Sequence, residues 1–147
     1  MSENISRMLL FDVIPLSLGV RASGGRMEVI LKKNTMTPCS CIEPYGTKID
    51  NQRTVDIDIY EGEDEIAINN NLLGSIKLIN LPDMSRRVKR IMVKFTVDED
   101  GVLTVTANVR KTQIENSIDI EHNTGRLNDA EIRRMIANAE EALKQLK

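Results

Sequence analysis

The sequence predicts a mostly β domain, an antiparallel β-sandwich of about eight strands followed by a C-terminal α-helix. A period of two dominates from Leu16 to Ile120, and a helical period replaces it after Gly125. Aromatic residues make up only 3% of the chain while apolar residues make up 41%, so the core must consist mostly of aliphatic side chains, which suit packed strands. At 147 residues, the chain fits one domain with a working core.

Apolar and polar residues alternate along each predicted strand. The first hairpin is predicted to turn at Gly24-Gly25, and the clearest hairpin turns at Asp98-Glu99-Asp100-Gly101. Because proline lacks a backbone donor, Pro15 indicates that pairing begins after it, at Leu16. The apolar positions that alternate in this way are Leu16, Leu18, Val20, Met27, Val29, Leu31, Val55, Ile57, Ile59, Ile76, Leu78, Ile91, Val93, Phe95, Val97, Leu103, Val105, Ala107, Val109, Ile114, Ile118 and Ile120.

A helix is predicted over 127–147. Asn128 is placed as its N-cap, with Glu131 at the third helical position and Leu127 positioned to pack against Ile132. An apolar stripe follows at three- and four-residue steps and requires a packing partner. Its members are Ile132, Met135, Ile136, Ala139, Leu143 and Leu146.

The short apolar run Met8-Leu9-Leu10-Phe11 lies before the predicted sheet. It is far shorter than the roughly 20 residues that span a bilayer, and Ser2, Glu3 and Asn4 lack the basic start of a signal peptide. The run therefore predicts a linker that docks on another surface. A net charge of -2 gives no general attraction to nucleic acid or to anionic membranes.

No catalytic or metal-binding constellation stands out. The single His122 excludes a convincing triad, and Gly24-Gly25 lacks the Lys-Ser/Thr of a phosphate loop. Cys39 and Cys41 share one strand face at a spacing that disfavours a bridge, so reduced thiols and a cytosolic setting are expected.

Two charged stretches are interpreted as solvated surface. Asp56 and Asp58 alternate with apolar residues and so face solvent rather than a cation. The basic run Arg86 to Arg90 is predicted to be a solvated loop, because it has no interleaved aromatic residues.

Several ordered sequence blocks resemble 70-kDa heat-shock chaperones of the eukaryotic cytosolic type. The blocks are Met8-Leu9-Leu10-Phe11-Asp12-Val13-Ile14-Pro15-Leu16-Ser17-Leu18-Gly19, Lys33-Asn34-Thr35, Asp50-Asn51-Gln52, Tyr60-Glu61-Gly62-Glu63, Asn70-Asn71-Leu72-Leu73-Gly74, Asp100-Gly101 and Gly125-Arg126-Leu127. The resemblance implies an interdomain linker at 1–11, a β-sandwich peptide-binding domain at 12–122, and the first lid helix at 127–147. The family's ATPase domain and most of its lid have no counterpart in the sequence.

The resemblance also implies the residues of a peptide groove. Val55 corresponds to the floor of a pocket for one apolar side chain, although the pattern alone favours an ordinary core residue. Ser23 and Lys48 correspond to an arch over the bound backbone, where the family usually has apolar residues, and the basic run at 86–90 departs from the family's proline and glycine. Asp50 corresponds to a lid latch whose basic partner would fall near Ala137. The expected peptide-binding residues are Val55, Ile57, Val20, Ala22, Tyr45, Ser23, Lys48 and Gln52, and the linker residues are Met8, Leu9, Leu10, Phe11 and Asp12.

By the same resemblance, the chain binds extended apolar segments of unfolded polypeptides and is not itself an enzyme. ATP and magnesium would belong to the ATPase domain of a longer parent, which also works with J-domain co-chaperones, and the setting would be cytoplasmic. The free linker of one copy is expected to enter the groove of another and cause weak self-association. The alternative is a non-catalytic scaffold that assembles through its linker and helix and has a degenerate groove.

Overall fold

The computed structural model describes residues 13–121 together with Ala137 and Glu141. The predicted linker residues Met8, Leu9, Leu10, Phe11 and Asp12 lie outside the described residues, as does His122. Of the predicted helix at 127–147, Ala137 and Glu141 are described; both are helical and exposed.

Within the described residues, eight antiparallel strands form two four-stranded sheets, which confirms the predicted fold class. The first sheet has the order β2-β1-β4-β5 and the second has the order β3-β6-β7-β8. Short 3-10 turns lie in the connections at Ser23–Gly25 and Ala67–Asn69. The strands are β1 (Leu18–Arg21), β2 (Met27–Leu31), β3 (Cys39–Tyr45), β4 (Val55–Glu61), β5 (Asn71–Leu78), β6 (Ile91–Val97), β7 (Leu103–Val109) and β8 (Glu115–Ile120).

The core is the apolar layer between the two sheets. Along β6 and β7 every second residue is buried, as the period of two requires when one face of a strand meets the other sheet. Ile59 of the first sheet and Phe95 of the second are completely inaccessible to solvent. Aliphatic residues therefore provide the core that the scarcity of aromatic residues predicted.

A glycine is required where β1 approaches β2. The register between these strands shifts at Leu18/Gly19, which brings the backbones unusually close. A Cβ atom built on Gly19 would lie 2.1 Å from the carbonyl oxygen of Glu28. Since that oxygen belongs to the backbone, a side chain at this position must displace the strand.

We expect Gly19→Ala to destabilise the fold by about 1–3 kcal/mol, because a backbone atom must move to admit the methyl group. Gly74→Ala is the matched control within a strand, because its Cβ would meet the flexible tip of Ile118 at 3.0 Å. Urea unfolding measures both variants. Equal losses of stability would contradict the assigned role of Gly19.

The first strand begins at Leu18 rather than at Leu16. Glu63, in the loop after β4, accepts hydrogen bonds from the Ser17 backbone nitrogen at 2.8 Å and from the Ser17 hydroxyl at 2.6 Å. The Ser17 hydroxyl also accepts one from the Lys33 backbone nitrogen at 3.1 Å. The Glu63 carboxylate thus binds the Ser17 backbone N–H that the sequence pattern assigned to strand pairing.

These contacts lead us to expect an acid-sensitive contribution to stability. The Ser17 hydroxyl is the main cause that lowers the pKa of Glu63 below its ordinary value of 4.5, against an opposing effect of burial. Because the folded-state pKa is the lower one, this contribution is complete above pH 4.5 and is lost as the pH falls through the folded-state pKa. As the pH falls from 4.5 through the folded-state pKa of Glu63, the free energy of unfolding of Glu63→Gln should therefore decrease less than that of the unsubstituted chain.

The measurement is the urea midpoint of unfolding as a function of pH. Glu115→Gln, a change at an exposed position of β8, provides the matched control for removing one negative charge. If both variants follow the pH profile of the unsubstituted chain, the carboxylate of Glu63 does not contribute as described.

Candidate functional site

Four loops of the described part of the chain lie at one end of the sandwich. Tyr45 at the end of β3 pairs with Ile91 at the start of β6, and Ile91 pairs with Val109 at the end of β7. In the other sheet Val55 at the start of β4 pairs with Leu78 at the end of β5. The loops 22–26, 46–54, 79–90 and 110–114 therefore share this end, which we call the loop end.

The 46–54 loop is braced from within by Gln52. Its side-chain oxygen accepts hydrogen bonds from the backbone nitrogens of Lys48 and Ile49, at 3.0 and 3.4 Å. Its side-chain nitrogen donates to the carbonyl of Thr54 at 2.6 Å. The amide of Gln52, which we expected to bind peptide, is thus used to shape the loop that carries Lys48.

The 79–90 loop holds the 46–54 loop from outside. The Asp50 carboxylate accepts a hydrogen bond from the backbone nitrogen of Arg86 at 2.8 Å, and the Asn51 nitrogen donates to the carbonyl of Met84 at 2.9 Å. The predicted latch residue Asp50 therefore joins two loops of the sandwich. Ala137, near which the family's basic partner would fall, carries no charge to pair with it.

Arg53 strengthens the same junction. Its guanidinium donates to the carbonyl of Leu81 at 3.1 Å and forms an ion pair with Asp83 at 2.8 Å. The backbone adds a hydrogen bond from the Leu81 nitrogen to the carbonyl of Arg53 at 3.0 Å. Both side chains of the ion pair are largely exposed, so most of the restraint comes from the backbone contacts.

Gly46 allows the two loops to touch. A Cβ atom at this position would lie 3.0 Å from the carbonyl oxygens of both Arg86 and Val88. Any side chain there would push the 79–90 loop away. The sequence offered no local signal for this contact, because the partner atoms are distant along the chain.

The 22–26 loop is a tight turn held by the 62–70 loop. Gly24 and Gly25 both have φ of +79°, a left-handed conformation that glycine adopts without strain. The nitrogen of Met27, directly after the turn, donates to the carbonyl of Glu65 at 2.8 Å, and Arg26 forms an isolated β-bridge with Ile66. Each of the loops 22–26 and 46–54 thus has its own supporting loop.

The apolar inner face of β4 opens to solvent at the loop end. Ile59 in the middle of the strand is completely buried and Ile57 is 7% exposed, whereas Val55 at the first position is only half-buried. Val20 of the adjacent β1 is 3% exposed and pairs with Ile59. Val20 and Ile57 therefore lie deeper in the apolar layer, and Val55 is the residue of the three that lies nearest the loops.

Tyr45 contributes a polar atom from the opposite sheet. Its hydroxyl is buried beside the carboxylate of Glu28. Burial is the main cause that raises the pKa of Tyr45, followed by the negative charge of Glu28. Glu28 pairs with Val20 across β1 and β2, so an acidic residue that the sequence analysis missed lies beside the predicted wall.

The two predicted arch residues lie on different loops and are both exposed. Ser23 follows the half-buried Ala22 in the 22–26 loop, and Lys48 lies in the 46–54 loop. Ile49, next to Lys48, is 61% exposed, and the sequence analysis missed it. An isoleucine beside Asp50 and Gln52 interrupts a polar stretch, and that interruption was the signal available. The loop that carries Lys48 therefore also exposes one large apolar side chain, Ile49.

The cysteines lie on the inner face of the edge strand β3. Both are free thiols of intermediate burial, and burial raises the pKa of each, with a further increase at Cys41 from Glu43. The Cys41 thiol donates a long hydrogen bond to Glu43 at 3.8 Å. In residues 13–121, Ala137 and Glu141, no group of three His, Cys, Asp or Glu side chains is arranged to hold a metal ion.

The architecture defines a class of protein, a β-sandwich whose candidate site is built by supported loops at one end. Residues 1–147 match the family model described as Hsp70 protein. The chain therefore belongs to the Hsp70 family. Within its described part, no helix combines the length and the apolar character needed to cross a membrane.

Similar proteins come from an amoeba and from fungi. The chain is 40% identical over 144 residues to heat shock cognate 70 kDa protein 3 of Dictyostelium discoideum, covering 98% of this chain and 23% of that protein. It is 42% identical over 139 residues to a heat shock 70 kDa protein of Neurospora crassa and 41% identical over 139 residues to one of Penicillium citrinum. These matches cover 95% of this chain in both cases, and 22% and 28% of the two fungal proteins. The chain thus spans about a quarter of the length of these relatives.

Proposed function

We propose that the chain is the substrate-binding domain of a 70-kDa heat-shock chaperone and binds extended apolar segments of unfolded polypeptides. The observation that carries the proposal is the half-buried Val55 at the open end of the β4 apolar face. It lies at the same end of the sandwich as the supported loops 22–26 and 46–54. Family membership supports the chaperone role.

This arrangement can accept many sequences. An aliphatic side chain enclosed against Val55, Val20 and Ile57 gains about 1.5–3 kcal/mol from burial. Hydrogen bonds to the backbone of an extended peptide do not depend on its side chains. The proposed binding therefore selects for one apolar anchor and tolerates variety elsewhere.

The activity of a longer parent protein is part of the same proposal. ATP and magnesium would be bound by its ATPase domain, J-domain co-chaperones would act on that domain, and the whole would work in the cytoplasm. The segment Met8 to Phe11 would couple the two domains by docking on the ATPase domain. A free segment of this kind can also enter the groove of another copy, which gives weak self-association.

Val55→Phe is expected to abolish binding of a leucine-centred extended peptide, because the larger ring fills the pocket above Ile57. Fluorescence anisotropy measures the affinity, and thermal unfolding checks the fold. On the unsubstituted chain, the same peptide with aspartate in place of the leucine should bind at least about tenfold more weakly, because the apolar burial is lost.

Val29→Phe is the matched control, because Val29 lies on the exposed face of β2 at 41% exposure. It should leave peptide affinity unchanged. A folded Val55→Phe variant with normal affinity would refute the proposed pocket. If neither peptide binds the unsubstituted chain, the scaffold alternative with a degenerate groove is favoured instead.

The double change Ser23→Ala with Lys48→Tyr is expected to slow peptide release by about tenfold. Ser23 covers little area and Lys48 keeps its ammonium group in water, whereas one well-buried apolar contact contributes about 1.5 kcal/mol. Most of such a change falls on the dissociation rate, so association should change little. Stopped-flow displacement of a fluorescent peptide provides the rates.

The exposed Lys94 of β6 allows a control, because Lys94→Tyr adds the same side chain away from the loop end. It should release peptide at the original rate. Unchanged release from the double variant would mean that Ser23 and Lys48 do not cover the peptide. Faster release from it would mean that Lys48 itself binds the peptide.

A further inference from the structure

The four loops of the loop end are strongly basic although the chain has a net charge of -2, whereas the 62–70 loop that supports the 22–26 turn is acidic, with Glu63, Asp64 and Glu65. The four loops there contain only two acidic residues, Asp50 and Asp83, and Asp83 is paired with Arg53. By contrast, the turn at the other end of β6 is acidic, with Asp98, Glu99 and Asp100. The basic residues of the loop end are Arg26, Lys48, Arg53, Arg86, Arg87, Lys89, Arg90, Arg110 and Lys111.

Within this set, Arg87 and Lys89 are available for a ligand. Both are exposed, and the structure gives their side chains no hydrogen bond or ion pair to any described residue. Arg90 differs, because it is half-buried and donates to the carbonyl of Arg110 at 2.8 Å. Arg87 and Lys89 therefore keep their charges in solvent.

The loop that carries these two residues is held beside the proposed groove. Its backbone accompanies the 46–54 loop through the contact of Asp50 with Arg86, and its carbonyls lie against Gly46, directly after the wall residue Tyr45. An extended peptide advances about 3.3 Å per residue, so positions two to four residues from the anchor lie about 7–13 Å from it. Those positions come within roughly one Debye length of a basic loop next to the groove.

The surroundings favour a peptide carboxylate over a nucleic acid as the partner of this surface. Single-stranded nucleic acids bind by stacking bases on exposed aromatic side chains. Within the described residues, Tyr60 and Phe95 are buried and Tyr45 is half-buried with a raised pKa. The basic loop thus adjoins an apolar pocket, and the partner that uses both features is an apolar segment with acidic neighbours.

We infer that this domain favours apolar segments flanked by acidic residues, with Arg87 and Lys89 contacting the flanking carboxylates. The inference rests on the proposed peptide-binding function and specifies its substrate class. Exposed charge pairs are individually weak, so the preference is a modest one that depends on salt.

The test compares a neutral leucine-centred peptide with the same peptide carrying glutamates before or after the apolar segment. At about 0.05 M salt, one of the acidic peptides should bind about 3- to 10-fold more tightly than the neutral one. The difference should disappear at about 0.5 M salt. In the double variant Arg87→Ser with Lys89→Ser, affinity for the neutral peptide should be kept and the acidic preference lost.

The matched control is Lys77→Ser with Lys94→Ser, which removes the same net charge from exposed positions of β5 and β6. This control variant should keep the preference for acidic peptides; loss of that preference would show a general charge effect and overturn the inference.

Equal binding of neutral and acidic peptides would overturn the inference alone, whereas failure of every peptide to bind would overturn the proposed function as well. If a single-stranded oligonucleotide binds through Arg87 and Lys89 while acidic peptides gain nothing, the surface belongs to nucleic acid and the inference is wrong.

Discussion

The apolar layer between the two sheets is the constraint on which the rest of the structure depends. Two sheets about 10 Å apart need side chains from both inner faces to exclude water, and this requires the period of two in every strand. At the ends of the strands, the inner-face side chains are no longer required to be fully shielded from water. On β4 the apolar face continues from the fully buried Ile59 to the half-buried Val55, so the stabilising layer and the proposed pocket are parts of one surface.

Loops at the end of such a layer are useful for binding only if they are held in place. Here the restraint comes from directed contacts between loops, such as the Asp50 carboxylate on the Arg86 nitrogen and the Gln52 amide on Lys48. Groups ordered in advance lose less conformational entropy when a peptide binds. The polar residues at this end therefore shape the proposed site, and in the proposed complex apolar side chains would provide most of the binding energy.

The strands were largely predictable from sequence because burial of one face requires an apolar residue at every second position. The alternation of β6 and β7 is an example, and the confirmed eight strands follow from it. The start of β1 was not predictable, because Glu63 captures the backbone of Ser17 from 46 positions along the chain. The role of Asp50 was hidden in the same way, since its partner Arg86 lies 36 positions away. Hydrogen bonds between loops form only once the strands are arranged in the final topology, so the sequence around either partner does not predict them.

The proposed groove at a basic end would also separate two contributions to peptide recognition. Enclosure of an aliphatic side chain near Val55 would act over contact distance and would be lost only when the complex opens, so it would govern release. The charges of Arg87 and Lys89 act over about a Debye length and influence the approach of a segment before any contact forms. Because the field near a surface depends on local charges, a basic loop end can attract acidic segments even though the whole chain is weakly negative. Substitutions in the pocket and in the basic loop should therefore act on different rate constants, which makes the two contributions separable within one domain.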